Sequence, residues 1–324
     1  MAFPPAIPVA MRTYLAYRLG TSAIVMIGVS LVTYGMIFLT PGNPAEVILS
    51  ERLDRPPSQA EIEAFEAEHG LTDPVPVQYG RWLTDVLRGD LGTSYYAETQ
   101  VTSMIGTALP VTVELAVASM LIALAIAVPT GVLSAVYQGT SVDVVCQLGS
   151  LVGVSMPNFW LAYLLILAFP LTLGVLPVAG AGSPGQLVLP AVTLGTGMAA
   201  VLTRLIRASM LEVLAEAYVD TARSKGLRGR IVRYKHALRN ALIPVVTIIG
   251  LQFGSLLNGA VVIEVVFQRP GLGLLLVDAV FDRDYPVIQG ITLIAAGIFV
   301  VTNLFVDLAY RSLDPRVSMG GEAS

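Results

Sequence analysis

Six stretches of roughly twenty mainly apolar residues recur along this sequence, and they restrict its fold more than any other feature. An α-helix rises about 1.5 Å per residue, so roughly twenty apolar residues cross the hydrocarbon core of a bilayer. The stretches fall at about 19–39, 111–136, 144–169, 187–206, 241–262 and 287–308. In lipid each backbone N–H and C=O needs an internal partner, and a helix supplies one within a single segment. Charged residues make up 13% of the chain and hydrophobic residues 55%, whereas soluble domains carry roughly 25% charged residues. These observations predict an all-α, polytopic membrane protein with six transmembrane helices.

Pro129, Pro157, Pro190 and Pro244 lie within or at the ends of the stretches. Membrane helices tolerate such breaks where neighbours satisfy the freed backbone groups, which points to a packed bundle around a pathway. At the N-terminus, Arg12 and Arg18 precede the first stretch in the manner of a signal peptide. The stretch is longer than a typical apolar region of about 7–15 residues, and no small-x-small cleavage site follows it. A retained helix is the expectation.

Arginine and lysine set the orientation. With the N-terminus inside, the inner segments hold Arg12, Arg18, Arg204, Arg207, Arg223, Lys225, Arg228, Arg230, Arg233, Lys235, Arg239, Arg311 and Arg316, thirteen in all. The outer segments hold Arg52, Arg55, Arg81, Arg88, Arg269 and Arg283, which is six. The topology expected is N-in and C-in. Residues 1–18 form a cytoplasmic tail, 40–109 an extracytoplasmic segment, 110–310 a five-helix core and 311–324 a second cytoplasmic tail.

The outer segment is acidic and carries its own helix signals. Ser58 and Glu61 form a capping box, each side chain satisfying an orphan donor at a helix start. That helix runs to about His69, with Gly70 as its left-handed stop. A second helix is expected over 76–87, with Tyr79, Trp82, Leu83 and Val86 on its apolar side. Such a region either faces a soluble partner or simply tethers two spans. Its acidity and the scarcity of lysine hint at a halophilic source.

Several chemistries find no support. A phosphate-binding loop needs Gly-Lys followed by Ser or Thr, and the only lysines, Lys225 and Lys235, follow Ser224 and Tyr234. His69 and His236 fall on opposite sides of the membrane, so no catalytic constellation or metal cluster assembles. Cys146 is the single cysteine and reads as a small buried hydrophobe. The pI near 5.2 argues against a nucleic-acid partner. No enzymatic activity, metal or cofactor is expected in this chain. An inverted repeat or a dense midplane network of ionisable groups would favour a stand-alone secondary transporter, and neither is visible. A membrane scaffold without transport activity is the other rival.

The segment 210–240 concentrates basic charge in a chain otherwise poor in it. Met210, Leu214, Ala217, Tyr218, Thr221 and Ala222 recur near the helical period. Gly226 and Gly229 then break the pattern, and a second helix is expected from about Arg230 into the fifth stretch. Positive-inside charge alone requires neither an amphipathic helix nor a glycine stop.

These residues carry a resemblance. Asp220-Thr-Ala-Arg-Ser-Lys-Gly226 followed by His236-Ala-Leu-Arg-Asn240 resembles the EAA loop of binding-protein-dependent ABC importer permeases. The form is most similar to the first (B-type) subunit of the dipeptide/oligopeptide/nickel permease family. The family's Glu-Ala-Ala corresponds to Asp220, Thr221 and Ala222, and its glycine to Gly226. Arg239 stands where the general motif has proline. Leu39-Thr-Pro-Gly-Asn-Pro44, Gly89-Asp-Leu-Gly-Thr-Ser94, Leu109-Pro-Val-Thr-Val-Glu-Leu115, Ile263-Glu-Val-Val-Phe-Gln-Arg-Pro-Gly-Leu-Gly273, Arg283-Asp-Tyr-Pro286 and Leu313-Asp-Pro-Arg316 match family patterns in order.

The resemblance implies a type I importer permease fold in the cytoplasmic (inner) membrane of a prokaryote. It implies a second homologous permease subunit, two ATPase subunits that bind ATP and magnesium, and an extracytoplasmic solute-binding protein. Solutes of the family include di- and oligopeptides, nickel chelates, glutathione and oligosaccharides. In its mechanism the EAA helix sits in a cleft of an ATPase subunit and must bind the two ATPase states unequally to transmit motion. The residues expected at that contact are Ala217, Asp220, Thr221, Ala222, Arg223, Lys225 and Gly226.

Four carboxylates, Glu114, Glu264, Asp278 and Asp307, fall in or near membrane depth. Such groups mark either a pathway or internal pairing. Glu264 and Phe267 precede Pro270-Gly-Leu-Gly273, where irregular backbone is expected to fold back toward the bundle and gate the outer mouth.

Overall fold

The structure, a computed structural model, describes residues 9–39, 43–53 and 55–313. These residues are helical almost throughout and contain no β-strand, only an isolated antiparallel bridge between Thr93 and Gln100. The helices are α1 (Val9–Leu39), α2 (Pro44–Leu53), α3 (Gln59–Glu68), α4 (Val75–Leu87), α5 (Val101–Val136), α6 (Ser141–Ser155), α7 (Asn158–Ile166), α8 (Pro184–Leu214), α9 (Ala217–Ser224), α10 (Gly229–Ile231), α11 (Leu238–Ala241), α12 (Ile243–Val266), α13 (Leu272–Phe281) and α14 (Tyr285–Leu313).

Among the described residues, four segments are long and apolar enough to cross a bilayer: Ala16–Met36, Val101–Val136, Pro184–Leu214 and Tyr285–Leu304. The third expected stretch is not one straight span. Its limbs, α6 and α7, diverge by 101°. Pro157 is the cause: it drives Met156 into an extended conformation (φ −85°, ψ 120°), as prolines do to the preceding residue. After α7 the chain widens into a π-helical turn, Leu167–Leu173, around Pro170 and ends on left-handed Gly174. Counted as one span, the bent pair is a fifth. Helix α12 occupies the fifth expected stretch with Glu264 as its sole charged residue. Helices α1 and α5 begin earlier than the apolar stretches, at Val9 and Val101, because helical geometry continues through polar residues that hydropathy excludes.

The described residues form two compact units, those from 9 to 108 with 275–304, and 109–274 with 305–313. In the first, Ala45, Ile48, Ile62, Phe65 and Tyr285 build a small core. Helix α3 starts as expected: Glu61 accepts from the Ser58 backbone N–H at 2.7 Å and Ser58 Oγ accepts from the Glu61 N–H at 3.4 Å. The helix closes at His69 with Gly70 at φ +64°. The second helix expected in this segment is α4. Its Tyr79 and Trp82 pack on Tyr34 of α1 at ring distances of 5.6 and 5.2 Å. Tyr34 donates to Gln78 at 3.2 Å, and Ser30 shares a hydrogen bond with Tyr79 at 2.8 Å.

The core of the second unit is drawn from α5, α7, α8, α11 and α12, including Leu115, Ala162, Leu202, Ile206, Ala241 and Ile263. Small residues let the backbones approach, as membrane helices require when lipid is as apolar as leucine. A Cβ on Gly195 would stand 2.7 Å from the Ser119 carbonyl oxygen, and one on Gly131 2.8 Å from Ile206 Cβ. Asp143 of α6, 4% exposed, receives Arg207 of α8 bidentately, with both nitrogens at 2.8 Å. Ser134, the Gly139 N–H and Gln147 complete its shell at 2.5, 3.0 and 2.8 Å.

Candidate functional site

Two places gather the residues singled out in the sequence. The first is the polar segment after α8. Helix α8 stops at Leu214, and the chain tightens: Ala215 N–H donates to Glu212 O and Glu216 N–H to Val213 O, both at 3.2 Å. The apolar period from Met210 to Ala222 therefore belongs to two helices, not one. Met210 is buried in α8, and Val219 anchors the eight-residue α9 with no exposure.

Around that anchor, Ala217, Asp220 and Thr221 are exposed and Ala222 is half-buried. Asp220 lies in the first turn of α9, where the helix dipole favours a negative charge. Lys225 and Gly226 follow the helix and are exposed. The side chain of Arg223 lies outside the described set. Gly226 sits at φ +75°. Leu227 N–H donates to Ala222 O at 3.3 Å, the reversed hydrogen bond of a glycine-terminated helix, and only glycine adopts that conformation without strain.

Beyond the turn, α10 begins at Gly229, close to the expected Arg230, and passes through a π-helical stretch, Val232–Ala237, into α11. Asn240 Nδ2 donates to Tyr218 Oη at 2.8 Å, tying α11 back to α9. Val232, Ala237 and Ala241 are buried beneath the segment. Its surface nevertheless keeps Tyr218, Leu227, Ile231 and Tyr234 between 39 and 51% exposed. Apolar side chains clustered on a basic, helical surface are what a protein contact uses.

The second place is the end of α12. The helix closes on Phe267, and Gln268 takes a left-handed conformation at φ +47°. The chain turns back through Arg269, Pro270 and Gly271 into α13, the irregular reversal expected there. Glu264 has no exposure. Its carboxylate accepts from Thr112 Oγ1 at 2.6 Å, Gly273 N–H at 2.6 Å and Leu274 N–H at 3.3 Å. Thr112 accepts in turn from the Leu272 N–H at 2.8 Å. Glu264 and Thr112 thus take up the free backbone donors at the start of α13, where the dipole also favours an anion.

Glu114, half-exposed, pairs with Arg269 at 3.0 Å, and Arg269 is 1% exposed. Arg269 also donates to the carbonyls of Gly180 and Gln186 at 3.3 and 3.2 Å. Phe267 is buried, and its carbonyl accepts from the Gly180 N–H at 2.9 Å. Pro270 and Asp278 are exposed. Asp307 lies on α14, but its side chain is outside the described set. The structure brings Glu114, Glu264 and Phe267 to one reversal. Thr112 and Arg269 were missed. The signal for Arg269 was a lone cation bordering a span, five residues after Glu264.

The fold defines a class. Over 65% of this chain and 96% of the other, it superposes on a chain of the MetNI methionine ABC transporter in an inward-facing conformation, with a TM-score of 0.56 at 17% identity. An amino acid ABC transporter structure matches over the same 65% of this chain, at a TM-score of 0.50 and 16% identity.

Residues 127–319 match the family described as binding-protein-dependent transport system inner membrane component, and residues 11–116 match the N-terminal family of such membrane components. The chain belongs to the binding-protein-dependent transport system inner membrane components. It is 41% identical to the dipeptide transport system permease protein of Alkalihalophilus pseudofirmus, covering 95% of this chain and 99% of the relative. At the same coverage it is 39% identical to the oligopeptide transport system permease protein of Bacillus subtilis and 41% identical to the glutathione transport system permease protein of Pectobacterium atrosepticum. It is a multi-pass membrane permease, and the family places it in the inner membrane.

Proposed function

We propose that this chain is the permease subunit of an ABC importer for di- and oligopeptides, and that the segment 210–240 is where a separate ATPase grips it. The observation that carries this reading is α9 with its glycine stop: a short exposed helix, held from beneath by Val219 and from the side by Asn240, and closed at Gly226. Asp220, Thr221, Ala222 and Gly226 are the contact and turn residues, with Ala217, Arg223 and Lys225 flanking them. Because the sequence has no phosphate-binding loop, ATP and magnesium belong to two partner ATPase subunits.

The complete assembly adds a second, homologous permease and an extracytoplasmic binding protein, all in the lipid of the inner membrane. Six spans with N-in, C-in topology are supported by the thirteen-to-six distribution of basic residues and by α12 in the place of the fifth span. The acidic segment 40–109 then faces outward, and 110–310 forms the permease core. The reversal at Glu264, Phe267 and Pro270, steadied by Glu114 and Arg269, is the candidate outer gate. Asp278 and Asp307 are the weaker candidates along the pathway.

Peptide as the solute rests on the dipeptide and oligopeptide relatives. Glutathione, carried by another relative's system according to its name, is itself a tripeptide and falls within the same chemistry. The test is co-purification with the ATPase subunits and stimulation of ATP hydrolysis by peptide-loaded binding protein in proteoliposomes. A chain that carries peptide without any ATPase would overturn the assignment.

A further inference from the structure

Two arginines of α8, one turn apart, have different surroundings. Arg207 is held bidentately by Asp143 of α6. Arg204 is exposed and makes no hydrogen bond or ion pair among the described residues. Neither helix offers it an acid. Asp143 is the one carboxylate of α6, and Arg207 occupies both of its oxygens. Glu212, the one carboxylate of α8, lies eight residues further along, about 12 Å at 1.5 Å per residue.

Arg204 borders a groove of about 400 Å³ whose other lining residues are Val144, Gln147, Leu148 and Leu151 of α6. The helices are fastened on either side of it along the chain. At one end stands the Asp143–Arg207 pair. At the other, Gly153 meets Ala200 so closely that an added Cβ would stand 3.1 Å from the alanine Cβ. Val144, Leu148 and Leu151 are each more than half exposed. The groove therefore presents one unpaired cation beside an apolar strip.

We infer that this groove holds one anionic phospholipid, its phosphate on Arg204 and an acyl chain along Val144, Leu148 and Leu151. An unpaired charge at membrane depth is costly, and a guanidinium forks readily onto phosphate oxygens. Charge decides between occupants. An apolar helix of another subunit would bury Arg204 without a partner, which is strongly unfavourable. A water-soluble phosphate would leave the apolar strip uncovered. The leaflet follows from the topology proposed above, in which α6 starts and α8 ends at the inner face. Arg204 then lies about 4.5 Å deeper than Arg207, in a leaflet whose anionic lipids attract basic groups.

The experiment uses the complete assembly, both permeases with the ATPase subunits, in native mass spectrometry. The probes are phosphatidylglycerol and phosphatidylcholine with identical chains. Wild type should bind its first phosphatidylglycerol about tenfold more tightly than phosphatidylcholine, the worth of one charge-assisted contact, a comparison that needs no variant to fold. Arg204→Gln should abolish that preference. Arg228→Gln, at an exposed arginine outside the groove, should keep it, and glycerol phosphate, which lacks chains, should not compete. No preference in wild type, a preference that survives Arg204→Gln, an equal loss in Arg228→Gln, or competition by glycerol phosphate would each overturn the site. The leaflet is read separately with a membrane-impermeant thiol reagent on Gln138→Cys, an exposed position between α5 and α6, in a Cys146→Ser background. Labelling only in inverted vesicles supports the inner leaflet. Labelling only from outside overturns the topology and the leaflet, whereas a failed lipid preference overturns the site alone.

Discussion

Removing the Asp143 carboxylate should be among the most costly single changes in the second unit. Five donors converge on it: Ser134 Oγ, the Gly139 N–H, Gln147 Nε2, and Nε and Nη2 of Arg207. Asp143→Ala strands the guanidinium and the Gly139 N–H together. Breaking a buried ion pair by deleting one partner costs about 3–5 kcal/mol. Arg207 keeps 23% exposure, so water recovers part of that loss, and the Ser134 hydroxyl can rotate to a backbone carbonyl of its own helix. The expectation is the lower end, about 3 kcal/mol, roughly a hundredfold in the unfolding equilibrium. Equilibrium unfolding in mixed SDS micelles measures it. Combining Asp143→Ala with Arg207→Met gives a double-mutant cycle in which the pair should couple by about 2 kcal/mol, so that the double variant is more stable than the sum of the single changes predicts. Coupling within about 0.5 kcal/mol of zero would refute the claim that this pair fastens α6 to α8.

Thr112→Val keeps the volume but takes one donor from Glu264 and the acceptor from Leu272 N–H, at about 1–3 kcal/mol for each orphaned group; micellar unfolding reads the loss, and an unchanged midpoint would contradict the cap on α13. Gly195→Val drives a Cβ to 2.7 Å from the Ser119 carbonyl oxygen, an overpacking cost of about 1–3 kcal/mol or more, visible as reduced recovery of monodisperse protein after heating. Burial, followed by the nearby Tyr34 and Asp284, pushes the Tyr95 phenol up to about 12. A raised folded value means that its contribution is complete below the ordinary tyrosine value of about 10 and is lost as pH rises through about 12; the 295 nm difference titration between wild type and Tyr95→Phe should show that late step, and a step near 10 would contradict it. Glu61, held down to about 2 by Arg55 and the Ser58 cap, has the opposite sign. Its contribution is complete above the ordinary glutamate value of about 4.3 and disappears as pH falls through about 2, so Glu61→Gln should flatten the acid limb of the helical circular dichroism in that window.

The elements that could be read from sequence were those whose signal is local. The Ser58–Glu61 cap, Gly70 and the left-handed turn at Gly226 each depend on a few neighbouring residues, and all three are present at the expected positions. The break between α8 and α9 was not legible. Helical periodicity survives a one-residue slip, and nothing at Ala215 or Glu216 forces the stop. The 101° bend at Pro157 was visible as an interruption but not as an angle, because packing sets the angle. Glu264 drew attention as a carboxylate at depth, yet one of its partners, Thr112, lies 152 positions away, and only the fold shows a helix cap there. Arg269 and the Asp143–Arg207 pair were hidden for the same reason: topology counting assigns a basic residue to a side of the membrane and says nothing of what it touches.

The most direct measurement of the central claim is coupled ATP hydrolysis in proteoliposomes containing Gly226→Asp. A Cβ there meets nothing within 4 Å, so the substitution strains the backbone at φ +75°, about 1–2 kcal/mol, without disturbing the core. If α9 and its glycine turn transmit the ATPase stroke, the variant should assemble in the membrane yet lose most peptide uptake and most of the stimulation of ATP hydrolysis by loaded binding protein. Uptake and stimulation at wild-type levels, with the subunits still assembled, would contradict the account.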